Sequence, residues 1–233
     1  MTTRRVRERH AMVDRQIIAR GITDTAILAA FREVPRELFV EPGMEESAYA
    51  DGPLPIGEGQ TISQPFIVAS MIDAADVKRG DRVLEVGAGS GYAAAVLSRI
   101  AKSVFAIERH AVLVQRSRER IDHLGYDNCS ILSGDGTKGL LEEAPFDAIL
   151  VAARIEAIPE ALKRQLEIGG TLVIPVGGED VQQLQSVVRT GEESWRSRDI
   201  TPVRFVPLLE GVVGEAGTGA TCDQCNDSKR ERA

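Results

Sequence analysis

The stretch Val83-Leu84-Glu85-Val86-Gly87-Ala88-Gly89-Ser90-Gly91-Tyr92 decides the fold of this 233-residue chain. Its first four residues make a short, mostly apolar run that stops at glycine, and a helical pattern takes over from 91 to 100. Glycines at a strand-to-helix junction let the backbone turn tightly and approach a ligand closely. The helix start that follows offers unpaired N–H groups. Downstream the same alternation repeats. Val104-Phe105-Ala106-Ile107 is a second run, ending in Glu108, and 111–124 reads as helix. Ser130-Ile131-Leu132 is a third, ending at Gly134-Asp135-Gly136, and 146–151 is a fourth. Residues 158–168 read as helix and 171–174 as a fifth strand. This rhythm predicts a parallel sheet with helices on both faces. The apolar, β-branched runs suit strands buried on both sides. The expected fold class is α/β: a doubly wound, mostly parallel, Rossmann-like sheet. Runs at 184–188 and 203–206 are candidates to extend it.

Upstream, Val6, Val13, Ile17 and Ile18 recur at roughly helical spacing, and Gly21 is a natural stop. Thr23 or Asp24 can cap a second helix through Ala26, Leu28 and Phe31. Val34-Pro35 should end it, because a residue before proline is pushed out of the helical region. The stretch 41–60 is rich in glycine and proline and reads as loop and extended chain. Beyond Glu210 the composition is that of a disordered end.

Length fits one domain with a small appendage. Hydrophobic residues at 43 % and charged residues at 27 % are ordinary for a globular protein. A net charge of −7 argues against a phosphate-tracking nucleic-acid binder, so no nucleic-acid partner is expected. No apolar run approaches the roughly 20 residues that span a bilayer, and no apolar signal core follows the basic N-terminus. No membrane partner is expected. Cys129, Cys222 and Cys225 give no disulfide framework, which points to a reducing cytoplasm. Cys222 and Cys225 have zinc-like spacing but no second pair, so no metal is expected.

The ligand of the glycine loop is a separate question. The strict G-x-G-x-x-G spacing fails from Gly87, because Tyr92 holds the last position. The relaxed form ending in alanine fits from Gly89 to Ala94, so a nicotinamide cofactor stays open, as does a purely structural turn. The neighbouring strand ends carry acids. Glu108 can accept hydrogen bonds from both ribose hydroxyls, or stand as a solvated strand-end charge. Asp135 can accept from an adenine amino group, or serve as an Asp-Gly turn residue. Glu85 adds a carboxylate beside the loop. An acidic rim suits a ligand bearing an ammonium and a sulfonium better than one bearing a pyrophosphate.

Gly57-Glu58-Gly59-Gln60-Thr61-Ile62-Ser63-Gln64-Pro65-Phe66-Ile67-Val68-Ala69 looks like the signature of the protein-L-isoaspartate O-methyltransferases, and residues 83–92 resemble their cofactor loop. Residues 104–109, 134–136, 144–149, 169–177 and Arg204-Phe205-Val206-Pro207-Leu208 match in order, over about 12–211. The resemblance implies a class I methyltransferase that moves a methyl group from S-adenosylmethionine to the α-carboxylate of L-isoaspartyl residues, a protein repair. It implies cofactor contacts at Ile62, Ser63, Glu85, Gly87, Ala88, Gly89, Ser90, Gly91, Glu108, Arg109, Gly134, Asp135 and Gly136. It implies substrate contacts at Pro55, Ile56, Thr61, Ser63 and Arg154, with Ser63 as the active-site serine. Ser63 before Gln64-Pro65 is equally a good helix-cap signal.

One departure stands out: the loop after the fourth strand reads Val151-Ala152-Ala153-Arg154-Ile155, where the family usually has Val-Thr-Ala-Ala-Pro. It keeps open a carboxyl methyltransferase for another specific peptide or small acid, beside a cofactor-binding module and a dehydrogenase. The implied organisation is 1–60 as N-terminal helices and substrate-side loop, 61–211 as methyltransferase core and 212–233 as a disordered tail. Isoaspartyl peptides and proteins are the expected partners, met by a monomer.

Overall fold

The structure, a computed structural model, describes residues 3–214. Helices α1 (Thr3–Met12) and α2 (Thr25–Glu33) lead into a hairpin of β1 (Leu54–Gly57) and β2 (Gln60–Ile62), then α3 (Pro65–Ala75). The alternating part follows: β3 (Arg82–Val86), α4 (Tyr92–Ser98), β4 (Ser103–Glu108), α5 (Ala111–Leu124), β5 (Cys129–Ser133) and β6 (Phe146–Val151). The short α6 (Glu160–Arg164), β7 (Leu166–Gly177), β8 (Gln182–Gly191) and β9 (Ser194–Val203) close the fold.

The main sheet has seven strands in the order β5-β4-β3-β6-β7-β8-β9. Strands β3 to β7 pair in parallel, and β8 and β9 are antiparallel additions at one edge. This is the expected doubly wound α/β architecture with its N-terminal helical extension. From β3 the chain steps outward to β4 and β5, then returns to lay β6 on the other side of β3. That reversal opens a crevice at the carboxyl ends of β3, β4 and β6, where open α/β sheets bind ligands.

Period-two alternation sends successive strand residues to opposite faces. Val83, Val104, Ala106, Ala148 and Leu150 face a core shared with α2, α3 and α4. Leu84, Val86, Ile107, Ile149 and Val151 face a second core, closed by Leu162 of α6. Each central strand is therefore apolar on both sides. The N-terminal expectations also hold. The Asp24 carboxylate accepts the N–H groups of Ala26 (2.8 Å) and Ile27 (3.0 Å), and α2 stops before Pro35.

Two expectations need correction. The helix at 158–168 shrinks to α6, because β7 begins at Leu166 and pairs with Phe146. Gly170 makes that pairing possible: a Cβ there would sit 2.9 Å from the carbonyl oxygen of Asp147 and 3.0 Å from those of Glu167 and Phe146. The last strand is β9, so of 203–206 only Val203 belongs to it. β9 lies at the sheet edge with mostly exposed polar residues and carries no apolar run to announce it. The tail residues 215–233, with Cys222 and Cys225, lie outside the described residues. Just before them, Val213 donates its N–H to the Arg109 carbonyl (2.8 Å) and accepts from Ala111 (3.0 Å).

Candidate functional site

A cavity of about 370 Å³ occupies the crevice. Its floor is the glycine loop, tied down by backbone bonds. The N–H groups of Gly87 and Ala88 both reach the Ile107 carbonyl (2.8 and 3.0 Å), and Ala152 donates to Val86 (2.8 Å). At two positions a side chain would be strained or crowded. Gly89 has φ +52°, and a Cβ on it would sit 3.1 Å from Ile56 Cδ1; one on Gly136 would sit 2.4 Å from Val86 Cγ1.

Two carboxylates stand beside this floor. Glu108, 5 % exposed, accepts the Gly89 N–H on Oε2 and the His110 N–H on Oε1, both at 2.9 Å. A carboxylate has about four acceptor sites, so Glu108 holds the loop and keeps capacity for a ligand. Glu85, 2 % exposed, leaves Oε2 buried and, among the described residues, without a hydrogen-bond partner. Burial, then the charge of Glu108, pushes its carboxyl up to about 8. The neighbouring Glu108 charge opposes ionisation of Glu85. A ligand carrying positive charge relieves that conflict, whereas a pyrophosphate would deepen it. The donor set thus fits the ammonium and sulfonium of S-adenosylmethionine.

A second wall comes from the hairpin and α3. The N-cap of α3 is Gln64, not Ser63, and no side chain caps the helix. The Ser63 hydroxyl has no hydrogen-bond partner among the described residues, and Ser63 lines the cavity. Behind it lies Arg36, fully buried. Its Nε donates to the Ala48 carbonyl (2.8 Å) and its Nη2 to the Ser63 carbonyl (2.9 Å), with the guanidinium 4.8 Å over the Tyr92 ring. Among the described residues it forms no ion pair, and burial draws its pKa down. An uncompensated buried cation is costly, yet its hydrogen bonds fix the backbone on which Ser63 sits.

The third wall is the segment 203–209. Buried Gln182 grips Phe205 from both sides, accepting its N–H (2.7 Å) and donating to its carbonyl (3.3 Å). Arg154 holds the next residues through its backbone, donating to Val206 and accepting from Leu208, each at 2.8 Å.

Of the expected site residues, the structure gathers Thr61, Ile62, Ser63, Glu85, Gly87, Ala88, Gly89, Ser90, Glu108, Arg109 and Gly136 around this cavity. The others stand outside its lining. Gly91 is the N-cap of α4, and Gly134 donates to the Glu108 carbonyl (3.1 Å). Asp135 turns back on its own segment, accepting the N–H (3.0 Å) and hydroxyl (2.6 Å) of Thr137 with Lys138 Nζ at 3.5 Å. Burial raises its carboxyl, but Thr137, the Gly211 backbone and Lys138 together outweigh that and hold it below the ordinary value. Pro55 and Ile56 form the hairpin behind the wall, and Arg154 serves through its backbone. Residues that single-motif reasoning passed over include Gln64, Ile67, Tyr92, His110 and the segment from Val203 to Leu209. The Arg204-Phe205-Val206-Pro207-Leu208 motif was the available signal for the last of these. Among the described residues no cluster of three His, Cys, Asp or Glu side chains is placed to hold a metal ion, and no helix is long and apolar enough to cross a membrane.

Comparison with known proteins bears on this geometry. A family model described as protein-L-isoaspartate(D-aspartate) O-methyltransferase matches residues 7–213. A protein-L-isoaspartate O-methyltransferase of Methylorubrum extorquens is 57 % identical over 208 residues, covering 89 % of this chain and 91 % of the relative. Protein-L-isoaspartate O-methyltransferase 2 of Pelobacter propionicus is 54 % identical over 202 residues, covering 86 % and 90 %. A solved protein-L-isoaspartate O-methyltransferase superposes with TM-score 0.79 at 27 % identity, covering 89 % of this chain and 67 % of that one. A Plasmodium falciparum structure described as a protein-L-isoaspartate O-methyltransferase beta-aspartate methyltransferase, in complex with S-adenosyl-L-homocysteine, gives TM-score 0.75 at 28 % identity, covering 86 % and 98 %. By fold, by sequence and by the match over nearly its whole length, the chain belongs to the protein-L-isoaspartate(D-aspartate) O-methyltransferase family.

Proposed function

We propose that this chain transfers the methyl group of S-adenosylmethionine to the free α-carboxylate of an L-isoaspartyl residue in a damaged protein or peptide. The observation that carries this reading is one continuous cavity that joins the Glu85 and Glu108 carboxylates to Ser63. Bound there, the cofactor supplies an electrophilic methyl group on a sulfonium. Glu108 would hold the ribose hydroxyls with its remaining acceptor sites, and Glu85 would face the ammonium. The backbone from Gly87 to Ser90 and Gly136 would lie against the nucleoside.

The acceptor is a carboxylate, ionised near neutral pH, so the site needs no general base. What the chain supplies is alignment. Ser63, whose hydroxyl is uncommitted and whose backbone is clamped by Arg36, would donate a hydrogen bond that orients the carboxylate. Such positioning can contribute several kcal/mol, up to ~7–11 in well-aligned systems. Opposite charges cancel as the methyl moves, and the largely apolar walls reduce the solvation that favours separated ions. Once esterified, the carboxylate is a better leaving group, and succinimide closure can return the chain to a normal linkage.

The test is labelled methyl transfer to an isoaspartyl peptide beside its aspartyl twin. Label confined to the isoaspartyl peptide is expected. Equal labelling of both, or labelling of neither, overturns the proposal.

A further inference from the structure

We propose that Arg204 is a specificity-determining residue that favours isoaspartyl peptides carrying a further acidic group next to the reacting residue. The inference rests on the substrate class proposed above and on the fate of each cation in the cavity wall. Among the described residues three basic ones line that wall: Arg109, His110 and Arg204. Arg109 is spent on backbone, its Nε donating to the Gly211 carbonyl (3.2 Å) and its Nη2 to that of Glu210 (3.1 Å). His110 faces the Glu58 carboxylate at 3.8 Å. Arg204 is exposed, and among the described residues it has neither a hydrogen bond nor an ion pair.

Its place is nonetheless fixed. On one side Val203 ends β9, and on the other the Phe205 backbone is gripped by Gln182. A flexible side chain thus projects from an anchored backbone at the cavity mouth. The electrostatic setting gives that guanidinium a task. The chain carries a net charge of −7, and among the described residues two acids, Glu85 and Glu108, line the cavity. The substrate brings a carboxylate of its own, so a peptide with additional negative charge meets a repulsive field. One free cation at the entrance offsets that field and discriminates by the sign of the peptide's flanking charge. Acting at the mouth rather than at the reacting oxygen, Arg204 affects KM more than kcat.

The experiment compares three isoaspartyl peptides of one sequence that carry Glu, Gln or Lys beside the isoaspartyl residue. Wild type, Arg204→Gln and Arg204→Glu are assayed at low ionic strength, and calorimetry with S-adenosylhomocysteine checks that the cofactor side is intact. Wild type is expected to favour the Glu peptide over the Lys peptide by about fivefold in kcat/KM, carried mainly by KM, as for an exposed ion pair. Arg204→Gln should bring that ratio below about twofold and Arg204→Glu should invert it, with S-adenosylhomocysteine affinity preserved. A ratio unchanged in both variants overturns the role of Arg204. A wild type that methylates none of the three peptides overturns the substrate reading, and this inference with it.

Discussion

The two halves of the cavity are built by different means. The cofactor half is one sheet edge: adjacent strand tips present Glu85, the glycine loop and Glu108 as direct continuations of buried β-strands. The substrate half is stitched together from distant segments. Its Ser63 wall depends on Arg36, and its 203–209 wall depends on Gln182 and on the backbone of Arg154. One half inherits its order from the sheet; the other needs buried polar side chains to hold loops against it. The halves also differ in charge, acidic under the cofactor and cationic behind Ser63 and at the mouth.

If this division is real, substitutions should separate by half. The largest effect is expected at Glu108→Ala, which strands the N–H groups of Gly89 and His110 and removes a ligand acceptor. S-adenosylhomocysteine should bind about 100-fold more weakly, ~2.7 kcal/mol by calorimetry. An affinity within threefold of wild type would remove Glu108 from the cofactor half. Next comes Ser63→Ala. Because Ser63 caps no helix, its loss should leave the melting temperature and S-adenosylhomocysteine affinity nearly unchanged. Turnover of an isoaspartyl peptide should fall about tenfold, ~1.4 kcal/mol. Parallel loss of turnover and cofactor affinity would merge the two halves.

The smallest effect sharpens the electrostatic contrast. In the ligand-free protein the Glu85 carboxyl is pushed up to about 8 by burial and by Glu108. Between its ordinary value near 4.5 and about 8 the folded protein therefore holds a proton that the unfolded chain releases. Stability from this group accordingly falls as pH rises through that window. Glu85→Gln should melt close to wild type at pH ~5 and a few °C above it at pH ~8.5, followed by thermal denaturation without ligand. A difference that does not change with pH would mean that Glu85 is not the strained acid described.

The same division explains what the sequence made legible. The sheet edge is written in contiguous motifs, since a parallel strand buried on both faces must be apolar and must end where the ligand begins. Residues 83–92 and Glu108 were legible for that reason. Asp135 illustrates the limit. An Asp-Gly step reads as ligand acceptor or as turn residue, and in the structure Oδ1 of Asp135 accepts from Thr137 while the residue stands outside the cavity lining. Arg154 shows the converse, for the role the structure shows for it is backbone pairing with Val206 and Leu208, which side-chain identity does not encode. Gln182 and Arg36 act over 23 and 27 residues of chain. Their partners are carbonyl and N–H groups common to most residues, so nothing local marks either as part of a site. β9 escaped notice because an edge strand can be polar.

Arg36 carries one more consequence. Its acceptors are the carbonyls of Ala48 and Ser63, and its face rests on a buried ring at the start of α4. The serine-bearing segment cannot detach while Arg36 stays in place without stripping a buried guanidinium of one of its acceptors, a penalty of several kcal/mol. Opening of the segment that carries Arg36 should therefore accompany opening at Ser63, so that amide exchange near the amino-terminal end of the chain is expected to report on the integrity of a reaction centre it never touches.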